Sequence, residues 1–587
     1  MNNTEIDIDD PALRDRAVAT ARGDAPFDLL ITGARIADMA TGELRAADVG
    51  IIGALIASVH PAGTRDDASE TLACSGTVLS PGLIDMHMHV ESSMVTPETY
   101  AAAVLPRGVT TVVWDPHEFG NVVGIAGVEY ALNAAASSPL RILPLAPSCV
   151  PSAPGYETGG ADFDADVIAG LMAQPGIAGL AEVMDMAAVT ARAPRMRGIL
   201  QAALTSGKPV CGHARGLTGA GLNAYAAAGV QSDHELTSAD DLMEKLRAGL
   251  TIELRGSHDH LLPGFAEALM TLGQMPVTVT LCTDDVFPDD LLTGGGLDDV
   301  VRRLVGYGLD PMRALQAATL NGAIRLGRRD LGLIGPGKRA DLVVFDDLAE
   351  FRARHVIRDG RVVTPMADAP VQPTPFRDTC ALPQLGPAQF TLSAKGPRVR
   401  LATIDRPRFT QWGETVADVD EGSVVLPEGA TWIAVIPRHG QAAPVPRLGM
   451  LRGWGDWRGA FATTVSHDSH NLTVFGRDPV HMAAAANALI DAGGGMAVAA
   501  QDRLTVLPLP VAGLVSDRPL PEVAEAFAAV RAAMGEVVTW EPPYLVFKAL
   551  VGATLACNAG PHMTDLGVAD ALAGRLLSSA ILEDGLC

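Results

Sequence analysis

Two histidines one residue apart, His87 and His89, close the apolar run GLIDMHMHV. On a β-strand, side chains two positions apart point to the same face, so this spacing predicts that both rings can hold one cation between them. Four more metal-type side chains follow other short apolar runs: Glu182 in LAEVMD, His213 in VCGHARG, His234 in QSDHE and Asp284 in LCTDD. Imidazole and carboxylate donors without thiolate suit manganese, iron or zinc. Six donors exceed what one open site needs, and they fit two divalent metal ions bridged by a carboxylate. Glu182 is the expected bridge, because it has two oxygens and sits on a middle strand. His87, His89 and Asp284 are assigned to one ion, and His213 and His234 to the other. A bound metal lowers the pKa of water towards neutrality and so creates a nucleophile. Asp284 is placed to take that water's proton and pass it to a leaving group. Glu182, His234 and Asp284 are therefore the candidate catalytic residues.

Further polar clusters stand beside these. WDPHEFGN puts Asp115, His117 and Glu118 after the apolar strand TTVVW. Asp-Pro favours turns, but the position at a strand end points to substrate contact or an extra metal site. Glu91 and Ser92 follow the first histidine pair, and Glu91 either orients a histidine ring or shapes the loop. SHDSHN carries His467, Asp468 and His470 far from the other motifs. It reads as a surface turn or as a loop reaching back to close the site or touch the substrate. His258 and His260 in RGSHDHLL are expected to face solvent or to cap a helix. GLIGPGK, Gly332 to Lys338, has the spacing of a phosphate loop, but Arg339 stands where Ser or Thr should hold magnesium, and a strand follows it. A turn is the better account. The HxE…PCxxC pattern of another zinc deaminase class is absent.

The elements that must position these residues can be read from the apolar rhythm. Eight short runs, IDMHMHV, TTVVWDPHE, RILPLAPS, AGLAEVMD, PVCGHARG, VQSDHE, TIELRGS and VTLCTDD, alternate with helical stretches between residues 81 and 335. That is the pattern of a (β/α)8 TIM-type barrel, whose active site lies at the C-terminal strand ends. The expected fold is α/β, with a small split β-sandwich domain (residues 27–80 plus 336–370), the barrel (81–335) and a C-terminal α+β domain (371–587). Residues 1–26 are expected to be a helical extension, with Asp10-Pro11 capping a helix. Prolines between Met366 and Pro387 read as a linker.

The chain has 587 residues, 48% of them hydrophobic, enough for large cores. Its formal charge of -24 argues against nucleic acid as a partner. Seven scattered cysteines with no CxxC pair fit a reduced, cytoplasmic protein. The acidic N-terminus does not read as a signal peptide, and no run is long and apolar enough to suggest a membrane span.

GLIDMHMHV, His213, His234, Asp284 and the split β-domain together resemble the amidohydrolase superfamily. Many binuclear members bridge their metals with a carbamylated lysine, where this chain has Glu182. HVESS, WDPHE, AEVMD, GHARG, SDHE and CTDD, with SHDSHN and VFGRDPVHMAAAANAL, resemble the bacterial adenine deaminase family more specifically. These motifs come in order and cover nearly the whole chain. The resemblance implies a binuclear enzyme, with manganese the expected metal and iron the next, that hydrolyses adenine to hypoxanthine and ammonia. It implies metal-activated hydroxide attacking C6 of adenine, and a homodimer or larger homo-oligomer. N1 must gain a proton as C6 becomes tetrahedral. Single-metal relatives supply a glutamate three residues after the fifth-strand histidine, and Gly216 stands there. The acid is then Glu182, Asp284 by relay, or Glu118. Where the family has REGS, this chain has Arg255-Gly256-Ser257, a departure from the family pattern. The competing readings are action on another aminopurine, opening of a cyclic amide as in dihydroorotase-like enzymes, and a scaffold without metal. The last fits least, because all six ligands are present.

Overall fold

A computed structural model describes residues 6–364, 374–540 and 546–586. Its first helix, Pro11–Arg22, starts where the sequence places it: the Asp10 side chain accepts from Ala12 N–H and Pro11 occupies the first turn.

Two sheets frame the barrel. Strands Phe27–Thr32, Asp48–Ile52, Leu55–His60 and Ala68–Ala73 form one. The other joins N-terminal strands Arg35–Asp38, Glu43–Ala46 and Val78–Pro81 to Leu342–Phe345, Ala353–Arg358 and Arg361–Val362, which come after the barrel. The seam is the antiparallel pair Val78–Pro81 with Leu342–Phe345. Leu29, Ile31, Ile36, Leu79 and Leu342 meet in one apolar core between the sheets. GLIGPGK is a turn of this unit: Gly337 N–H donates to Ile56 O, and Ile56 N–H to Lys338 O.

Eight parallel strands follow one another through the middle of the chain. They are β1 (Leu83–Met88), β2 (Val109–Trp114), β3 (Arg141–Pro144), β4 (Leu180–Val183), β5 (Val210–Gly212), β6 (Ser232–Asp233), β7 (Thr251–Arg255) and β8 (Val279–Cys282). β1 pairs with β2 and β2 with β3, β4 with β5, and β6 with β7 and β7 with β8. The bridge Ala146–Leu180 joins the end of β3 to β4, and a hydrogen bond from Gln231 N–H to Val210 O links β5 to the start of β6. The bridge Met88–Asp284 joins the end of β8 to β1. Between β5 and β6 the backbones approach so closely that a Cβ on Gly212 would lie 2.2 Å from Ser232 O. Glycine there is a packing requirement.

The C-terminal part is built on a long mixed sheet. Its central strands are Arg398–Asp405, Arg447–Arg452, Ala430–Ile436, Leu472–Gly476 and Ala460–Thr463. Helix Pro479–Ala492 lies on it through Met482, Ala483, Ala485, Ala486 and Leu489, whose mostly small side chains allow close approach. The sheet region docks on the barrel through the bridge Val95–Ser516, and Lys548 Nζ donates to Ser257 O at 2.6 Å.

The proline-rich linker reading needs correction where the chain is described. Residues 365–373, and so the 370/371 boundary, lie outside the described residues. Beyond them Cys380, Leu385 and Phe390 are buried, and the Asn487 side chain bonds both Leu385 N–H and C=O. This stretch packs onto the C-terminal sheet instead of spanning a gap, because its apolar residues find a core. Among the described residues no helix is long and apolar enough to cross a membrane.

Candidate active site

All six predicted ligands gather at the C-terminal strand ends, and each is at most 4% exposed. Glu182 is their centre. Its Oε1 lies 3.6 Å from both His87 Nε2 and His89 Nε2. Its Oε2 lies 2.6 Å from His213 Nδ1 and 3.2 Å from His234 Nε2. Asp284 Oδ1 is 3.2 Å from His89 Nε2 and 3.8 Å from His87 Nε2. The groups His87, His234, Asp284 and Glu182, His213, His234 each bring their ligand atoms within 4.8 Å of one another.

Local structure explains the aim of each side chain. His89 shares a 3.0 Å hydrogen bond between its Nδ1 and Asp115 O, which turns Nε2 towards the cluster. Asp284 adopts a left-handed backbone, φ 56°, and its N–H donates to His87 O at 2.9 Å. The Glu182 carbonyl accepts from Ser148 Oγ and Cys149 Sγ on the β3 loop. The His213 N–H donates to Tyr225 Oη, which donates in turn to Val183 O. Asp233 Oδ1 accepts from Ala214 N–H and Glu235 N–H, beside His213 and His234.

The electrostatics match a cation centre. Burial alone would raise the Glu182 carboxyl, but the surrounding imidazoles, His234 foremost, hold it well below the usual range. Burial likewise opposes ionisation of Asp284, and the Arg255 guanidinium, in contact with its Oδ2, outweighs it. His87 Nε2, which faces both Glu182 and Asp284, is buried with no hydrogen-bond partner among the described residues. A buried orphan imidazole nitrogen beside two carboxylates and three further imidazoles is what divalent ions would satisfy, so the donor set fits.

The accessory residues fall into three groups. Ser92 reaches the cavity and donates to Asp285 Oδ1. Glu91 is away from the ligands: its Oε2 accepts from Trp114 Nε1 at 2.8 Å and its Oε1 from Phe119 N–H at 3.2 Å. It therefore ties the first strand-end loop to the second. His117 and Glu118 meet His467, Asp468 and His470 at the edge of the same cavity, while Asp115 and His117 also bring ligand atoms within 4.8 Å of His89 and Glu182.

The cavity is also lined by charged residues to which the sequence motifs assign no role, among them Glu235, Arg255, Asp285 and Lys548. Glu235 and Asp285 directly follow His234 and Asp284, so the adjacent carboxylates in SDHE and CTDD were an available signal. Arg255 grips Glu235 and Asp284 together. Burial pushes Lys548 down to about 8, helped by Arg255. The reading of His258 as solvent-facing is corrected: it is buried and lines the cavity, because Lys548 and its neighbours cover that loop. His260 also lines the cavity mouth.

A barrel whose strand ends carry this His/carboxylate set, completed by a split sheet, defines a metal-dependent hydrolase of the amidohydrolase class. The amidohydrolase family matches residues 78–368, and the adenine deaminase C-terminal domain matches residues 407–574. The chain is 64% identical to adenine deaminase 2 of Rhizobium meliloti, covering 98% of each chain. It is 53% identical to adenine deaminase of Klebsiella pneumoniae, over 95% of this chain and 94% of that one. An adenine deaminase of Moorella thermoacetica is 40% identical, over 89% and 90%. The chain belongs to the adenine deaminase family.

Proposed function

We propose that this chain hydrolyses adenine to hypoxanthine and ammonia, using two divalent ions, manganese by preference, held by His87, His89, Glu182, His213, His234 and Asp284. The observation that carries this reading is the division of Glu182: one oxygen faces His87 and His89, the other His213 and His234. When bound between such ligands, the ions supply a water that ionises near neutral pH beside the substrate carbon.

The chain's own residues do the rest. Asp284 takes one proton of the attacking water and delivers it to the C6 amino group, which leaves as ammonia, while the water's other proton goes to N1 and its oxygen stays on C6 as the carbonyl of hypoxanthine. Arg255 and Ser257 both reach Asp284 Oδ2, leaving Oδ1 towards the histidines for that transfer. His234 stacks on His87 with ring centroids 4.2 Å apart, and this fixes the two imidazoles across the bridge. The Ser92–Asp285 pair presents polar atoms to the edge of a planar base. Val551 and Leu555 of the C-terminal part line the cavity and keep bulk water from the reacting carbon. A cytoplasmic location and a homo-oligomeric assembly belong to the same reading and rest on the family resemblance.

The test is purified protein reconstituted with manganese and given adenine, with ammonia release and loss of adenine absorbance recorded. Turnover is expected, and Glu182→Gln should abolish it and reduce bound metal. No ammonia from adenine with two ions bound would overturn the reading. Full activity of the Gln variant with both ions retained would remove the bridging role.

A further inference from the structure

His117, Glu118, His467 and Asp468 form a cluster that the deamination steps above do not use. The first two follow strand β2, and the last two lie on the loop between strands Ala460–Thr463 and Leu472–Gly476. His117 Nε2 is 3.6 Å from Asp468 Oδ1, and His467 Nδ1 is 3.6 Å from the same oxygen. Glu118 Oε1 is 3.8 Å from His467 Nδ1. His117, Glu118 and His467 each bring one ligand atom within 4.8 Å of the others.

These gaps are too long for hydrogen bonds. They are close to the separation of about 3.3–3.6 Å between ligand atoms on a tetrahedral ion whose bonds are about 2.0–2.2 Å. His117 Nε2, which faces the cluster, is buried without a hydrogen-bond partner among the described residues, as are the second oxygens of the two carboxylates, Glu118 Oε2 and Asp468 Oδ2, while Glu118 Oε1 accepts from Ser92 Oγ at 3.4 Å. The two carboxylates are 0% and 1% exposed, a costly state without a countercharge. The orienting contacts are those of a ligand histidine. His117 Nδ1 and Asp115 Oδ2 are 3.0 Å apart, so the ring proton belongs on Nδ1 and the Nε2 lone pair faces the cluster. His470 differs, because its Nδ1 accepts from Ser466 N–H at 3.2 Å. Its Nε2–H then faces Glu118 Oε2 at 3.7 Å and positions that carboxylate instead of binding an ion.

We propose that His117, Glu118, His467 and Asp468 hold a third divalent cation, a first-row metal bound by two imidazoles and two carboxylates. Two carboxylates and one dication leave the buried cluster neutral. The site lies beside the bridged pair, with His117 Nδ1 3.8 Å from Glu182 Oε1, but takes half its ligands from the C-terminal part. Its cation fastens that part over the cavity. A proton on His117, shared between Asp115 and Asp468, is the competing countercharge.

Metal-free protein dialysed to equilibrium against manganese distinguishes the two by elemental analysis. Three ions per chain are expected in the wild type and two in both His467→Gln and Asp468→Asn. The third equivalent should also raise the melting temperature of the wild type and not of the variants, with far-UV circular dichroism reporting that they fold. Two ions per chain in the folded wild type would favour the proton and overturn the proposal. So would three in both folded variants, or loss of all metal from them, which would merge the cluster with the bridged pair. These counts are read without adenine, so a failure of deamination leaves them interpretable.

Discussion

Lys245→Met tests the frame beneath the ligands. Lys245 is fully buried, and its Nζ lies 2.9 Å from Asp233 Oδ2 and 3.1 Å from Asp241 Oδ2. Methionine keeps most of the volume and removes the charge. Asp233 is then a buried carboxylate without its cation, and removing one partner of such a pair costs about 3–5 kcal/mol. Asp233 has no easy escape by turning away, since its Oδ1 already accepts from Ala214 N–H at 2.6 Å and Glu235 N–H at 3.2 Å. Those amides flank His213 and His234, so the loss should reach the ligand geometry and lower kcat. A chain of several domains does not unfold in one step. The quantity to compare is therefore the urea midpoint of the transition that abolishes metal binding. It should be measured in wild type, Lys245→Met, Asp233→Asn and the double variant. The double variant should be less destabilised than the sum of the singles by about 0.5–3 kcal/mol, because the stranded charge is gone. A Lys245→Met protein within about 0.5 kcal/mol of wild type, the range of ordinary surface changes, would refute this account of the frame.

Two further outcomes are expected. Glu91→Gln should cost about 1–3 kcal/mol, because the amide offers one acceptor oxygen where Trp114 Nε1 and Phe119 N–H need two. Thermal melting should show that loss while elemental analysis finds the bridged pair of ions retained. His562 is buried and held down to about 4, first by burial. Below the ordinary value of about 6.5, the unfolded chain takes up a proton that the folded one refuses. Stability should therefore fall as pH drops from about 6.5 to about 4, by roughly 3 kcal/mol in all. His562→Gln should flatten that slope in urea titrations across the window, and an unchanged slope would contradict it.

Most strand ends were legible because the candidate ligand stands in or just after an apolar run of strand length, a local pattern that tertiary contacts did not override. His234 is the exception, since it follows Gln231-Ser232-Asp233 and a strand of two residues. The gathering of His87, His89, His213 and His234 around Glu182 follows from those strand ends meeting at one mouth. What Glu91 does was not, since it depends on an indole and an amide brought close only by the turn after Trp114. Glu235 and Asp285 stood next to ligands, yet their partners do not: Glu235 meets Arg255 from the next strand, and Asp285 meets Ser92 from the first. Lys548 reaches Ser257 from nearly three hundred residues away, a pairing set by domain docking that no local spacing encodes. The prolines after Met366 suggested a free span, but Cys380, Leu385 and Phe390 carried the burial signal that decided the described part.

The seam between Val78–Pro81 and Leu342–Phe345 has a consequence for synthesis. The first strand leaves the ribosome long before its partner exists. At about 5–20 residues per second the wait is on the order of tens of seconds. Throughout it, one edge of Val78–Pro81 has no strand to pair with, although all four of its residues end up buried. The barrel is made in the interval, so its closure, which brings the chain back beside its own beginning, comes before the framing sheet can be completed. A nascent chain stalled before Leu342 should therefore be the form of this protein most in need of a chaperone.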